Sequence, residues 1–205
     1  MPNWVSNSLR ITGSADTIRA IKEQLARPIL DKSKDYQTGE VKETVITPVM
    51  SFRNIIFVPD DKIDDYHETH GSTRDEATGE MIRTGDTEWN WYNFNNREWG
   101  TKWDIHNGVY LAEDKPDSLI YSFDTAWSYP MPAIEKLSSQ YPEATFTLSY
   151  EEEQGWGGEI EIKNGNATQI EEYDIPDSHA EMIERRGECY CSPPDFPFSD
   201  CVVKA

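Results

Sequence analysis

The chain has 205 residues, with 38 Asp and Glu against 19 Lys and Arg, and a formal net charge of −19. A negative field of that size repels phosphate backbones, which argues against direct nucleic-acid binding. Two explanations of the charge remain: simple solubility, and attraction to a protein partner with a basic surface. Hydrophobic residues make up 37% and aromatic residues 12% of the chain. That composition predicts one domain with a real core and room for an insertion.

The N-terminal segment predicts a strand followed by a helix. Trp4–Thr12 is the strand, with Val5, Leu9 and Ile11 as its apolar positions. Ser14 is a candidate N-cap, and the helix after it runs to about Arg27, with apolar residues on one face. Pro28 ends it.

The middle of the chain is mostly polar and contains a cluster of aromatic residues. Ser51–Val58 ends in a compact apolar run and predicts the end of a buried strand. Residues 60–88 contain almost no aliphatic side chains and predict a loop or a partly ordered insertion. Residues 89–104 hold four of the seven tryptophans. This run predicts a helix over about Thr87–Glu98, ended by Gly100.

The second half alternates between strands and one helix. Strands are predicted around Leu119–Phe123, Phe146–Tyr150 and Ile160–Ile162, and the last of these turns through Asn164-Gly165 into a strand over Thr168–Tyr173. A helix opens at Pro130 and Pro132 and stops before Pro142.

The order of these elements predicts an α+β fold. It is a ferredoxin-like split β-α-β sandwich with an antiparallel sheet, an insertion between the two halves and an extra C-terminal hairpin. We expect a domain over residues 1–175, with the insertion at about 59–116. A short helix and a cysteine-containing tail follow over residues 176–205.

Several motifs of rare residues occur in order along the chain. They are Met1-Pro2-Asn3-Trp4 with Asn7, Trp99–Asp104, Phe123–Trp127 with Pro130 and Pro132, and Tyr150 and Glu152 followed by Gly155, Gly157 and Gly158. Together they resemble the YubB ferredoxin-like family of plasmid and bacteriophage proteins, over the start of the chain and roughly residues 89–165.

The resemblance implies an origin in a bacterial mobile element, a ferredoxin-like fold and no established catalytic activity. Members of that family often carry Cys after the opening Trp, whereas this chain has Val5. No thiol chemistry can therefore be assigned to that position. The segment 60–88 and the tail look particular to this protein.

Acidic residues concentrate near the C-terminus. Between Ser149 and Glu188 twelve acids face three basic residues. We expect this band to contact a host or defence protein with a basic surface, as a non-enzymatic accessory protein and, in a sharper version, as a DNA-mimic inhibitor. The expected contact residues are Glu151, Glu152, Glu153, Glu159, Glu161, Glu171 and Glu172.

The alternatives are a structural or assembly role and an enzyme with a polar-aromatic pocket. Candidate pocket residues are Trp99, Lys102, Trp103, Asp104, Asp124 and Trp127. Lys102 beside Asp104 and Asp124 could form a buried ion cluster that works in acid–base chemistry. We favour the simpler interpretation, in which the tryptophans pack the insertion against the sheet and Lys102 pairs with Asp104.

Neither a cofactor nor a metal ion is expected. Cys189, Cys191 and Cys201 lack the usual spacing of a zinc knuckle, and free thiols in a reducing cytoplasm are the favoured interpretation. His67 and His70 lie in a polar loop, one residue short of the spacing of a zinc helix. No segment is apolar enough to cross a membrane, so we expect a cytoplasmic protein. The oligomeric state stays open.

Overall fold

A computed structural model of the protein describes residues 3–34, 38, 40–67, 71–84, 88–105 and 108–186. Its strands are β1 (Trp4–Thr12), β2 (Ile29–Lys34), β3 (Val41–Ile46), β4 (Gly71–Arg74), β5 (Met81–Thr84), β6 (Val109–Lys115), β7 (Ser118–Ala126), β8 (Thr145–Glu152), β9 (Gly157–Lys163) and β10 (Asn166–Tyr173). Its helices are α1 (Ala15–Leu25), α2 (Ile63–His67), α3 (Trp91–Phe94), α4 (Met131–Gln140) and α5 (His179–Arg186).

Six strands form one antiparallel sheet in the order β10-β9-β8-β1-β7-β6. β1 pairs with both β7 and β8, so the β7-α4-β8 unit straddles the first strand. The four strands β1, β6, β7 and β8 with α1 and α4 have the connectivity of a split β-α-β domain. The predicted ferredoxin-like α+β fold is confirmed.

The two long helices cover one face of this sheet. The residues of β1 alternate strictly between exposed and buried, with Val5, Asn7, Leu9 and Ile11 directed inward. α1 contributes Ile18, Ile21 and Leu25 to the same core, and α4 contributes Ile134 and Leu137. We call the opposite face of the six-stranded sheet the open face. Ser6, Ser8 and Arg10 of β1 are exposed on it. At one end of this face the guanidinium of Arg185 from α5 lies 5.1 Å from the ring centroid of Tyr173.

Several local predictions are confirmed with small shifts of boundary. Ser14 caps α1 by accepting a hydrogen bond from the amide of Thr17 at 3.2 Å. Asn164 and Gly165 have φ angles of 50° and 72°, as a two-residue hairpin turn requires. The aromatic run is helical from Trp91, continues as a π-helical turn over Asn95–Trp99, and ends at Gly100 with φ of 78°.

The predicted strand end at Ser51–Val58 is wrong. Phe52–Asn54 forms a 3-10 turn whose N-cap is Ser51. Phe52 and Ile55 are buried, so the apolar run does enter the core. It does so through side chains on a turn, because a short apolar run cannot by itself distinguish a strand from another buried segment.

The second strand of the fold lies elsewhere, and it corrects the expected insertion at about 59–116. That strand is β6, an edge strand with half-buried and charged residues, which lacks a strong apolar alternation. The segment between α1 and β6 therefore spans residues 26–108. It contains the hairpins β2–β3 and β4–β5 as well as α2 and α3. Residues 60–88, predicted as a loop or a partly ordered insertion, contribute α2 and the second hairpin.

The predicted C-terminal hairpin is confirmed, since β9 and β10 extend the sheet beyond β8. α5 follows it. The cysteine-containing tail and His70 lie outside the described residues. The division into a domain over residues 1–175 and a segment over 176–205 stays a prediction. In the described ranges no helix is long and apolar enough to span a membrane.

Candidate functional site

The strand register places four of the predicted contact residues on the open face. Glu151 lies opposite Ser6 of β1, and Glu159 and Glu161 lie opposite Ser149 and Thr147 of β8. Glu171 of β10 lies directly opposite Glu159 of β9. Like charges that face each other across strands destabilise a sheet. This pair therefore lowers stability, and the fold itself does not require it.

The other three predicted contact residues differ in position. Glu152 is directed away from the open face, is 2% exposed, and accepts hydrogen bonds from Asn3 Nδ2 at 2.7 Å and from the amide of Gln154 at 2.6 Å. It holds the end of β8 together and is not available for surface contact, which corrects that part of the prediction. Glu153 is exposed just after β8, and Glu172 is exposed on the edge strand β10.

The cations carried by the strands of the open face lie at one end of the sheet, and Arg185 of α5 lies over Tyr173 at the other end. Arg10 is in the row with Glu161, and Lys115 and Lys163 are in the outermost row. The rows through Ser6 and Ser8 carry Asp124, Glu151, Glu159 and Glu171, and contain no Lys or Arg in the described strands. We call these two rows the acidic end of the open face.

A cleft of about 810 Å³ opens beside the acidic end. Trp4 and Trp103 belong to its wall, with ring centroids 5.9 Å apart, and they are 39% and 38% exposed. Asp124, Glu151 and Glu153 also line it. Ser6 Oγ donates a hydrogen bond to Asp124 Oδ1 at 2.8 Å. The cleft therefore combines two aromatic rings with carboxylates.

Tyr173 connects the last strand to this region. Its hydroxyl donates to Glu151 Oε2 at 3.1 Å. Burial, and then the negative charge of Glu151, raise the pKa of Tyr173 to about 12. A Cβ at Gly157 would lie 2.7 Å from this hydroxyl and 2.3 Å from the carbonyl oxygen of Tyr150, so only glycine fits there. Gly157 and Gly158 are the first two residues of β9.

The segments Trp99–Asp104 and Phe123–Trp127, which supply the pocket candidates, contact each other. Thr101 Oγ1 donates to the carbonyl oxygen of Ala126 at 3.0 Å, and Ser128 Oγ donates to the carbonyl oxygen of Gly100. Lys102 Nζ lies 4.5 Å from the ring centroids of both Trp103 and Trp127. The ammonium group is held by two aromatic faces, so the expected pairing of Lys102 with Asp104 is wrong, as is the cluster with Asp124.

Asp104 has a different role from the predicted one. Its side chain is 3% exposed and accepts from Ser51 Oγ at 2.6 Å and from the amide of Phe52 at 2.8 Å, with Arg53 Nε at 3.6 Å. It thereby anchors the 3-10 turn of the insertion. Trp99 is fully buried and donates its indole N–H to the carbonyl oxygen of Ile56 at 3.1 Å. Both residues stabilise the packing of the insertion against the sheet domain.

Replacing Lys102 with Met should lower the free energy of unfolding by about 1 kcal/mol, because the variant keeps the apolar stem and loses two cation–π contacts. Lys102→Arg should stay close to the parent protein, since a guanidinium also packs on tryptophan faces. Urea denaturation followed by circular dichroism measures both. Equal stability of the Met variant and the parent would show that the two ring contacts contribute nothing.

Sequence reasoning did not select Trp4 as a site residue. The signal was present, because Val5, Leu9 and Ile11 alternate inward and Trp4 must then face outward at the end of the same strand. Tryptophan combines a large apolar ring with a polar N–H, which is a composition enriched at recognition surfaces. What the alternation could not reveal is that Trp103, 99 residues along the chain, lies beside it.

The sheet order, with α1 and α4 packed on one face, defines the chain as containing a ferredoxin-like α+β domain. Residues 98–190 match the family model described as "Ferredoxin-like domain in Api92-like protein". This match supports a ferredoxin-like family, and the matched family is that of Api92-like proteins rather than YubB. The match starts at the end of the tryptophan-rich helix and includes β6 to β10.

One solved structure is similar over most of its length. It is the crystal structure of a protein api92 from Yersinia pseudotuberculosis, with 12% sequence identity and a TM-score of 0.48. The similarity covers 87% of this chain and 99% of that chain. No curated protein matches this chain.

Proposed function

We propose that this protein is a non-enzymatic, acidic accessory protein of a bacteriophage or plasmid, which acts in the cytoplasm of the host cell by binding a basic host or defence protein through the open face. The acidic end carries this proposal. It is a regularly spaced set of four carboxylates, and the described strands carry no Lys or Arg in the same two rows. Arg185 of α5 lies over Tyr173 at the edge of this set. Such a field attracts a basic partner and accelerates encounter.

The DNA-mimic version is a narrower form of the same proposal. Carboxylates at alternate positions of neighbouring strands are held at fixed spacings by the sheet, whereas carboxylates on a loop are not. A DNA-binding protein presents a basic surface that would accept such an array in place of phosphates. In that case double-stranded DNA and this protein should compete for the same partner.

We further infer kinship with the YubB family. The supporting observation is the order of the rare-residue motifs. Three of them fall within the matched residues 98–190: Trp99–Asp104, Phe123–Trp127 and the motif from Tyr150 to Gly158. The mobile-element origin rests on that kinship.

The enzyme alternative receives less support from the same region. Of the six pocket candidates, Trp99 and Asp104 are engaged in packing and capping, and Lys102 is held between two rings. An acid–base site needs titratable groups that converge on open space. Asp124 alone among the charged candidates is exposed.

Charge reversal on the open face tests the proposal. The triple variant Glu159→Lys, Glu161→Lys and Glu171→Lys reverses two of the four carboxylates of the acidic end and the neighbouring Glu161. It removes the net negative charge of the acidic end without altering the core. The immobilised parent protein should retain its partner from a bacterial host lysate at about 0.05 M salt and release it at about 0.5 M, because screening weakens exposed charges. The triple variant should retain none of that partner.

A matched control reverses three exposed acids of the insertion, Asp61→Lys, Glu76→Lys and Glu80→Lys, and so changes the net charge equally. It should bind like the parent. Retention of the partner by the open-face variant, or at high salt, would contradict the proposal. Displacement of the bound partner by double-stranded DNA distinguishes the DNA-mimic version from a basic partner that does not bind DNA.

A further inference from the structure

The cleft beside the acidic end has the composition of a cation site. Trp4 and Trp103 are each more than a third exposed, although large aromatic side chains gain most from burial. No described lining residue is Lys or Arg, whereas Asp124, Glu151 and Glu153 all line the cleft. An anionic ligand would be repelled, and a neutral apolar ligand would leave the carboxylates without a role.

The aromatic rings favour an organic cation over a metal ion as the ligand. Tryptophan faces attract organic cations through their quadrupole, but they supply no ligand atoms to a metal ion. Rings of the same cluster already hold a cation, because Lys102 Nζ lies 4.5 Å from the centroids of Trp103 and Trp127. The ligand we expect is therefore a nitrogen cation that combines ring contact with hydrogen bonds to carboxylates.

We propose that this cleft binds the guanidinium group of an arginine side chain presented by the partner. A guanidinium is planar, stacks on indole rings and donates paired hydrogen bonds to one carboxylate. Asp124 can serve as that carboxylate, since an ionised carboxylate has about four acceptor positions and Ser6 occupies one of them. Glu153 adds a second negative charge at the opening.

The inference deepens the proposed function, because it takes the ligand to be a side chain of the basic partner. It is nevertheless separable from it. The cleft carboxylates Asp124, Glu151 and Glu153 differ from those reversed in the partner-capture experiment, Glu159, Glu161 and Glu171. Each proposal can thus fail without the other.

A peptide titration tests the cleft directly. The probe is the capped tripeptide Gly-Arg-Gly, compared with the same peptide carrying citrulline, which has nearly the same shape and no charge. The protein carries ¹⁵N-labelled tryptophan, and the seven indole N–H signals are assigned with single Trp→Phe variants. The Arg peptide should shift the Trp4 and Trp103 signals saturably, and the citrulline peptide should shift neither.

The double variant Asp124→Asn, Glu153→Gln should weaken binding of the Arg peptide roughly tenfold or more, because the change removes charge-assisted hydrogen bonds. Both residues are exposed, so the fold should be unaffected. The control Glu161→Gln, Glu171→Gln lies on the open face outside the cleft lining and should bind within about twofold of the parent. The Lys peptide should bind several-fold more weakly than the Arg peptide.

Three results would overturn the inference. They are equal shifts with citrulline, an unchanged affinity in the double variant, and equal binding of the Lys peptide, which removes the assignment to arginine. Loss of peptide binding while the partner is still captured rejects the cleft and leaves the proposed function intact. Peptide binding without partner capture rejects the proposed function and leaves the assignment of the cleft intact.

Discussion

Replacing Trp99 with Ala should reduce the free energy of unfolding by about 3–5 kcal/mol. The side chain is completely buried, and its ring lies 6.0 Å from that of Phe52 and 5.9 Å from that of Phe94, measured between centroids. Its removal leaves a large cavity between the insertion and the sheet. It also leaves the carbonyl oxygen of Ile56 without its indole donor. Guanidinium denaturation followed by far-UV circular dichroism measures the loss.

Trp103→Ala is the matched control from the same tryptophan run. Because Trp103 is 38% exposed, its truncation should cost about 1 kcal/mol and should chiefly affect the cleft. Trp99→Phe should fall between the two, since it keeps a ring in the core and loses the hydrogen bond. If Trp99→Ala and Trp103→Ala prove equally stable, Trp99 does not have the structural role that its burial indicates.

Asp104→Ala should reduce the free energy of unfolding by about 2–4 kcal/mol. The carboxylate accepts from Ser51 Oγ and the amide of Phe52, and it also accepts from the amide of Ile105 at 2.8 Å. Hydrogen bonds to a charged group contribute more than neutral ones, and their loss leaves buried donors unsatisfied. The 3-10 turn that carries Phe52 into the core should lose its anchor. Thermal and urea denaturation measure this effect.

Two controls separate this structural role from a catalytic one. Asp104→Asn keeps one acceptor oxygen and should lose about half as much stability. Asp124→Ala removes an exposed carboxylate with one side-chain hydrogen bond and should change stability by no more than about 0.5 kcal/mol. A stable Asp104→Ala protein would return Asp104 to the list of candidate functional residues.

The elements with strong local signals could be predicted from the sequence. β1, α1, α4 and the Asn164-Gly165 hairpin have clear periodicity, caps or turn residues, and all are present. The strand β6 was missed and the apolar run Ser51–Val58 was misassigned. Both errors concern segments whose conformation depends on neighbours that are distant in sequence, an edge position beside β7 for one and a cap from Asp104 for the other.

The candidate site was only partly predictable. Acidic residues on alternate positions of β9 identify one face of a sheet, and that part follows from the two-residue period. Whether Glu152 is buried or exposed depends on how β8 ends against Asn3. Lys102 was assigned a carboxylate partner because opposite charges lie nearby in sequence, whereas the fold brings two rings to it instead.

By itself the sequence determined the acidic character, the α+β class and the tryptophan-rich motifs, because these depend on composition and on periods of a few residues. The tertiary structure decided which carboxylates share the acidic end and which tryptophan lines the cleft. Trp4 and Trp103 belong to separate segments, and only the pairing of β1 with β7 and the packing of the insertion bring them together. Contacts across such distances in sequence arise from the packing of the whole domain, which no local pattern records.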